Sequence, residues 1–316
     1  MSMTRPEKLL LLDTASLYFR AFYGVPDKIT RSDGTPVNAI RGLLDMIARL
    51  TVEFEATHLI ACWDDNWRPG WRVDLLPSYK AQRVAESVAN GPDVEEVPDG
   101  LTAQIPLIRE VLELAGVAIV GAADHEADDV IGTYASGARS AVDVVTGDRD
   151  LFQLVDDAHE VRVIYTARGM KNLELVTDEV IVGKYRVLPG QYVDYATLRG
   201  DASDGLPGVA GVGEKTAATL LGEYGSLESV RDAATDAESA LSASVRSKLT
   251  AASDYLDVAP RVVRVVRDLD LPTPAKAGAR LSAVTGKKRA ELERLSNDWN
   301  LGGSVTRLLA ALDTYS

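Results

Sequence analysis

The sequence predicts an α/β protein: a mainly parallel sheet over roughly the first 185 residues, followed by a helical C-terminal region. Three observations carry this. Short runs of Leu, Val, Ile and Ala recur in the first part and end in acidic residues or glycine. Between them stand stretches with apolar residues at helical spacing, and strands alternating with helices indicate a parallel sheet. After about residue 186 strand-like runs become rare, and helical patterns with Gly and Ala take over.

Taken in order, KLLLLD (8–13) reads as a buried strand ending in Asp13. NAIRGLLDMIARLTVEFE (38–55) has helical periodicity, and THLIACWDD (57–65) is a second apolar run ending in Asp64 and Asp65. The polar stretch 85–101, with its prolines and glycines, reads as a mobile loop. TAQIPLIREVLELAG (102–116) is a helix stopped by Gly116. VAIV (117–120) is a short strand, HEADDVIGTYASGA (125–138) a helix, VDVVTGDRD (142–150) a strand ending in Gly and acids, and VRVIY (161–165) a further strand. YVDYATLRG, EKTAATLLGEYG and ASVRSKLTAASDYLD supply helices beyond. The expected organisation is therefore an α/β core over 1–185 and a helical region over 186–316.

Composition narrows the function classes. No apolar run reaches the length of a membrane span, and MSMTRPEKLLLLD lacks a small-residue cleavage site, so neither membrane insertion nor a signal peptide is expected. The single cysteine, Cys62, excludes an internal disulfide; with only His58, His125 and His159, scattered, no zinc set is available. A reducing, cytoplasmic home follows. The net charge of −13 argues at face value against nucleic acid, but setting nine clustered carboxylates aside leaves about −4 on the rest.

Acids sit where such a sheet binds ligands. Asp13, Asp64 and the pair Asp148 and Asp150 follow strand-like runs, and the carboxyl ends of parallel strands share one edge. The helix 125–138 adds Glu126, Asp128 and Asp129, and RGDASDGLPG adds Asp201 and Asp204. Acids near helix N-termini are common for dipole reasons. Five groups converging on one edge are harder to obtain that way. Repelling carboxylates become tolerable around hard divalent cations such as Mg²⁺ or Mn²⁺, and two such ions can clamp an in-line phosphoryl displacement.

GLPGVAGVGEKTA (205–217) places Gly208, Gly211 and Gly213 ahead of a helix, with Lys215 and Thr216 in its first turn. Glycines let backbone approach a ligand, and amides at a helix N-terminus face an anion. The spacing is neither a P-loop nor a dinucleotide fingerprint. It matches the hairpin of a helix–hairpin–helix, which grips DNA by its backbone. WDDNWRPGWRVDLLPSYKAQR (63–83) mixes Trp63, Trp67, Trp71 and Tyr79 with Arg68, Arg72, Lys80 and Arg83. Aromatics beside cations suit stacked single strands, and packing explains them equally well. Tyr18 and Arg20 could reach the same edge.

Together these residues resemble the bacterial 5′-nuclease family, which includes the 5′-nuclease domain of DNA polymerase I and free-standing flap endonucleases. LLLLDTASLYFRAFY, SYKAQR, HEADDVIG, TGDRDLFQL and GDASDGLPGVAGVGEKTAATLL carry the likeness, over most of the chain. The resemblance implies a PIN-like (Rossmann-like) nuclease core, a helical arch at about 66–101, and a helix–hairpin–helix at about 189–222. It implies hydrolysis of phosphodiesters at 5′ ends, flaps, nicks and gaps of duplex DNA, in replication and repair. It places Asp13, Asp64, Glu126 and Asp128 on one divalent ion. Asp148, Asp150 and Asp201 fall on a second, with Asp129 and Asp204 close by or acting through water. Lys80 and Arg83 would meet the scissile phosphate. Arg20, Tyr79, Gly208, Gly211, Gly213, Lys215 and Thr216 would contact DNA, and a potassium ion would sit on backbone carbonyls at the hairpin. The segment after Asp64 is richer in Trp than the family's Phe-containing pattern. The chain ends at Ser316 without a polymerase region, so a stand-alone, monomeric nuclease of the cytoplasm (nucleoid) is expected. Two alternatives stay open: a PIN-type nuclease acting on RNA or on RNA primers annealed to DNA, and a non-catalytic protein that binds branched DNA.

Overall fold

The computed structural model describes residues 6–88 and 93–315. The strands are β1 (Lys8–Asp13), β2 (His58–Cys62), β3 (Val84–Glu86), β4 (Val94–Glu95), β5 (Ala118–Val120), β6 (Ala141–Thr146), β7 (Val161–Tyr165) and β8 (Glu174–Val176). The helices of the α/β part are α1 (Thr14–Gly24), α2 (Asn38–Glu53), α3 (Gly70–Leu75), α4 (Asp99–Thr102), α5 (Ile105–Leu114), α6 (Ala127–Gly137) and α7 (Asp178–Tyr185). Then come α8 (Tyr192–Arg199), α9 (Glu214–Tyr224), α10 (Leu227–Thr235), α11 (Ala243–Ala251), α12 (Ser253–Val263), α13 (Gly286–Asp298) and α14 (Gly303–Leu312).

The main sheet runs β5-β2-β1-β6-β7-β8, parallel except for the last pair. β1 is central, with Leu11 opposite Ile60 on one side and Val144 on the other. Burial on both faces is why it reads as an unbroken leucine run. Successive side chains alternate between faces. Leu9 and Leu11 join the core with α6 and residues of α8–α11, whereas Leu10 and Leu12 join the core with α1, α2, α5, α13 and α14. The last two helices thus return to the α/β part, where Arg307 pairs with Asp45 at 2.8 Å. Tyr79 packs in a third, small cluster with Val193, Leu206 and Val262.

The chain passes from β1 to β2 and β5 on one side, then crosses back to β6 on the other. The β1–β6 boundary is therefore the topological switch point, where a crevice opens beyond the strand ends. Among the described residues no helix is long and apolar enough to cross a membrane.

The described part of the stretch 85–101, expected as a mobile loop, carries regular secondary structure. β3 and β4 form an antiparallel hairpin, and α4 follows. Asp93 anchors it: its carboxylate pairs with Arg68 and its carbonyl accepts the Trp67 indole N–H at 2.7 Å. Residues 89–92 of that loop lie outside the described residues. Among the described residues of the expected arch, helix is confined to α3, α4 and a 3₁₀ turn at Ala81–Arg83.

Candidate active site

The strand ends deliver their acids to one place. Asp13 closes β1 and caps α1, accepting the Ser16 N–H at 3.2 Å. Its other oxygen takes the Thr146 hydroxyl at 2.6 Å, and Thr146 in turn accepts the Asp148 N–H at 2.8 Å. Asp148 then accepts the Asp150 N–H at 2.8 Å. Two neighbouring strand ends are thus tied together by one hydroxyl. Asp64, just past β2, accepts the Ala127 N–H at 2.7 Å, at the start of α6.

A cleft of about 1230 Å³ opens here, and its lining includes Asp13, Asp64, Glu126, Asp128, Asp148 and Asp201, with Arg20, Lys80 and Arg83 among them. Burial, then the charges of Asp64 and Asp148, push the Asp13 carboxyl up to about 7, against the bonds from Thr146 and Ser16. Burial raises Asp64, Asp128 and Asp150 as well, with neighbouring carboxylates adding to it. Asp204 is raised to about 6, by burial first and against the pull of Lys80. Lys80 goes the other way from a buried amine. Desolvation would lower it, but Glu126 and its neighbours hold its ammonium well above the usual range. Eight carboxylates line the cleft against six cationic side chains, and all the acidic donors are oxygens. One oxygen of Asp150 is buried without a hydrogen-bond partner. These features fit a hard divalent cation.

Among the described residues, however, no three acidic, His or Cys side chains are gathered tightly enough to close on an ion by themselves. At α6 two of the acids are engaged with other partners. Glu126 is its N-cap and Asp129 its third residue, in a reciprocal capping box. Lys80 pairs with one oxygen of Glu126, while Arg72 and the Tyr79 hydroxyl share the other at 2.6 and 2.8 Å.

Several residues expected at the site are placed otherwise. Asp129 does not face the cleft. It is fully buried, and Arg72, the Glu126 N–H and the Val266 N–H occupy its oxygens. Tyr79, expected on DNA, is buried under the site instead. Arg68 and Arg72, which suited a single strand or packing equally well, are buried; Arg68 donates to the Tyr79 carbonyl at 2.6 Å. Asp150 and Asp204 are buried and do not line the cleft. Trp63 packs against the core. Sequence reasoning missed Ser16, Thr146, Arg149, Arg199 and Glu95. Glu95 lines the cleft, Arg199 donates to Asp201 at 3.0 Å, and Arg149 lies 3.8 Å from it. All but Glu95 lie inside stretches already singled out: Ser16 in LLLLDTASLYFRAFY, Thr146 and Arg149 in TGDRDLFQL, and Arg199 in RGDASDGLPG.

The glycine turn joins α8 to α9. Gly208 has φ +67, and a Cβ there would lie 2.6 Å from the Arg199 carbonyl carbon, so only glycine fits. Gly213 has an ordinary φ of −95 and simply precedes α9. Val209 and Val212 are buried and pin the turn, leaving Lys215 exposed and Thr216 half-buried at the helix start. Lys248 donates to the Gly211 carbonyl at 3.0 Å. The same hairpin docks on the segment carrying Lys80: the Lys80 N–H reaches the Asp204 carbonyl at 3.0 Å, and the Ser78 hydroxyl reaches that of Gly205 at 2.7 Å.

Comparison with known proteins agrees with this geometry. Residues 8–186 match the family model for the 5′-3′ exonuclease N-terminal resolvase-like domain, and residues 187–285 that for the 5′-3′ exonuclease C-terminal SAM fold. The chain belongs to the 5′-3′ exonuclease family. A 5′-3′ exonuclease of Streptomyces coelicolor is 55% identical over 96% of this chain and 99% of its own. One from Mycobacterium tuberculosis is 48% identical over 97% and 98%. The fold is that of the flap endonuclease of bacteriophage T5, solved in a pseudo-enzyme–product complex with DNA and metal ions. That chain superposes with a TM-score of 0.62 at 18% identity, covering 95% of this chain and 100% of the phage protein. The likeness shows a PIN-like α/β core with C-terminal helices.

Proposed function

We propose that this 5′-3′ exonuclease family member is a metal-dependent, structure-specific 5′ nuclease. It hydrolyses phosphodiesters of DNA at 5′ ends, flaps, nicks and gaps, acting as a monomer on the nucleoid. The observation that carries the reading is the cleft: eight carboxylates, Asp13, Asp64, Asp148 and Asp201 among them, at the switch point of a parallel sheet, faced by Lys80 and Arg83, with a backbone-gripping hairpin docked beside them.

Asp13, Asp64, Glu126 and Asp128 are the residues that would hold one divalent ion, Mg²⁺ or Mn²⁺. Asp148, Asp150 and Asp201 would hold a second, and Asp204 would act through water. Mg²⁺ needs few protein ligands because it keeps waters and borrows phosphate oxygens, which suits a cleft where no three acids close up alone. When bound, the ions would supply Lewis acidity and a water of lowered pKa. The protein's own part is orientation and charge. Lys80 and Arg83 neutralise the scissile phosphate as negative charge grows on it. The Gly208–Gly211 turn and the amides at the start of α9 hold duplex phosphates, with Lys215 adding charge. A potassium ion on the hairpin carbonyls would share that edge with Lys248, whose ammonium already meets the Gly211 carbonyl. Residues 1–185 then form the catalytic core, with the arch at about 66–101. The helical region 186–316 carries the duplex grip at about 189–222.

The test is cleavage of a 5′-labelled flap duplex with Mg²⁺ or Mn²⁺, beside the same duplex without a flap and a matched RNA strand. Excision of a short oligonucleotide from the flap, only with metal, is expected. Preferred cutting of RNA would move the assignment to the RNA-acting alternative. Retained binding without cutting under any metal would leave a branched-DNA binding protein.

A further inference from the structure

Arg72 is the most heavily engaged buried cation beside the cleft, yet it does not line it. It lies on α3, only 2% exposed. Its Nη1 donates to Glu126 at 2.6 Å and to Asp129 at 2.9 Å, and its Nη2 to the other Asp129 oxygen at 2.7 Å. Its Nε reaches the Val262 carbonyl at 3.1 Å, at the end of α12. The guanidinium also lies over the Trp71 ring at 4.5 Å. An ammonium could not span these partners, because only the planar fork presents donors in so many fixed directions.

We infer that Arg72 is a positioning residue for metal binding, fixing one oxygen of Glu126 so that the other is presented to the cleft. The inference rests on the proposed reading of the cleft as a divalent-ion site. Asp129 serves as the counter-ion that holds Arg72 in place, and the Tyr79 hydroxyl reinforces the same Glu126 oxygen. Lys80 holds the presented oxygen in the ion-free protein. That oxygen would hold a bound ion, which would leave the Lys80 ammonium free for phosphate. Outer partners of this kind typically change metal affinity by roughly 10–100-fold. This arrangement also accounts for the crowding of acids in HEADD. Only Asp128 and half of Glu126 face the cleft, while Asp129 belongs to the brace behind it.

The experiment is titration of the DNA-free protein with Mn²⁺, followed by electron paramagnetic resonance, for wild type, Arg72→Lys and Tyr79→Phe. Thermal unfolding and flap-duplex affinity in EDTA are read in parallel. The expected result is Mn²⁺ affinity lowered about 10–100-fold in Arg72→Lys and several-fold in Tyr79→Phe, with DNA affinity unchanged. Folded Arg72→Lys with wild-type Mn²⁺ affinity overturns the inference. If Arg72→Lys fails to fold, Tyr79→Phe decides: unchanged affinity there overturns it equally. A wild type that binds no Mn²⁺ fails the ion-site reading itself, which separates the two failures.

Discussion

The main-chain N–H of Lys80 donates to the carbonyl of Asp204 across 3.0 Å. A residue aimed at the cleft is thereby seated on the turn that leads into the duplex-gripping hairpin. The two are 124 positions apart, and the bond joins phosphate chemistry to duplex recognition through backbone alone.

Gly205 makes that seat, so it is the place to break it. Its φ is +69, and a Cβ would come within 1.9 Å of the Ser78 carbonyl oxygen. Gly205→Ala pushes the segment carrying Lys80 off the hairpin. A displacement of about 1 Å costs on the order of 100-fold in rate when it misplaces a reacting group. Single-turnover cleavage of a flap duplex should fall by that order while affinity changes little. An unchanged single-turnover rate would show that the contact does not position Lys80.

Lys80→Ala should slow the chemical step by roughly 100-fold or more, because the lost interaction is strongest as charge develops. Single-turnover rate and Kd, measured on the same substrate, separate the roles. A fall confined to affinity would make Lys80 only a phosphate anchor.

Asp148→Asn and Asp150→Asn should abolish cleavage while DNA binding in EDTA persists. The loss should exceed the roughly 100-fold expected of an outer partner. Asp150 is the sharper case, since it does not line the cleft and has one buried oxygen unpartnered. Near-normal cutting by both variants would remove the second ion from the assignment.

The metal-free protein should lose stability as pH rises. Asp13 titrates near 7 in the fold against 3.8 when unfolded, and Asp204 near 6. Between those limits the folded state binds more protons than the unfolded one, so stability declines from about pH 4 to pH 7 and then levels. Thermal midpoints in EDTA should therefore be higher at pH 5 than at pH 8. Mg²⁺ should raise the midpoint more at pH 8, where the carboxylates are ionised. Midpoints that rise with pH in EDTA would contradict the crowded-carboxylate picture.

Strand-level reading succeeded where a short pattern had one structural meaning. KLLLLD read as a buried strand, and its final acid falls at the end of β1 at the sheet edge. TGDRD and GDASDGLPG likewise carried Asp148 and Asp201 to the cleft in a way local spacing could express. The reading failed where a side chain's role depended on a partner far along the chain. Tyr79 and Arg72 stand where aromatics and cations alternate, a pattern that suits a single strand or packing alike, and the structure buries each against Glu126, 47 and 54 positions away. The stretch 85–101 looked like a loop by composition, but Asp93 ties it to Arg68 and Trp67.

By itself, the sequence determined the parallel α/β core, the acids at its strand ends and the glycine turn, because periodicity, strand termini and positive-φ demands are local properties of the chain. Tertiary structure alone decided which carboxylates face the cleft and which brace it. That choice depends on where a guanidinium on α3 meets the start of α6, and no spacing along the chain encodes the meeting of two elements that pack only after folding.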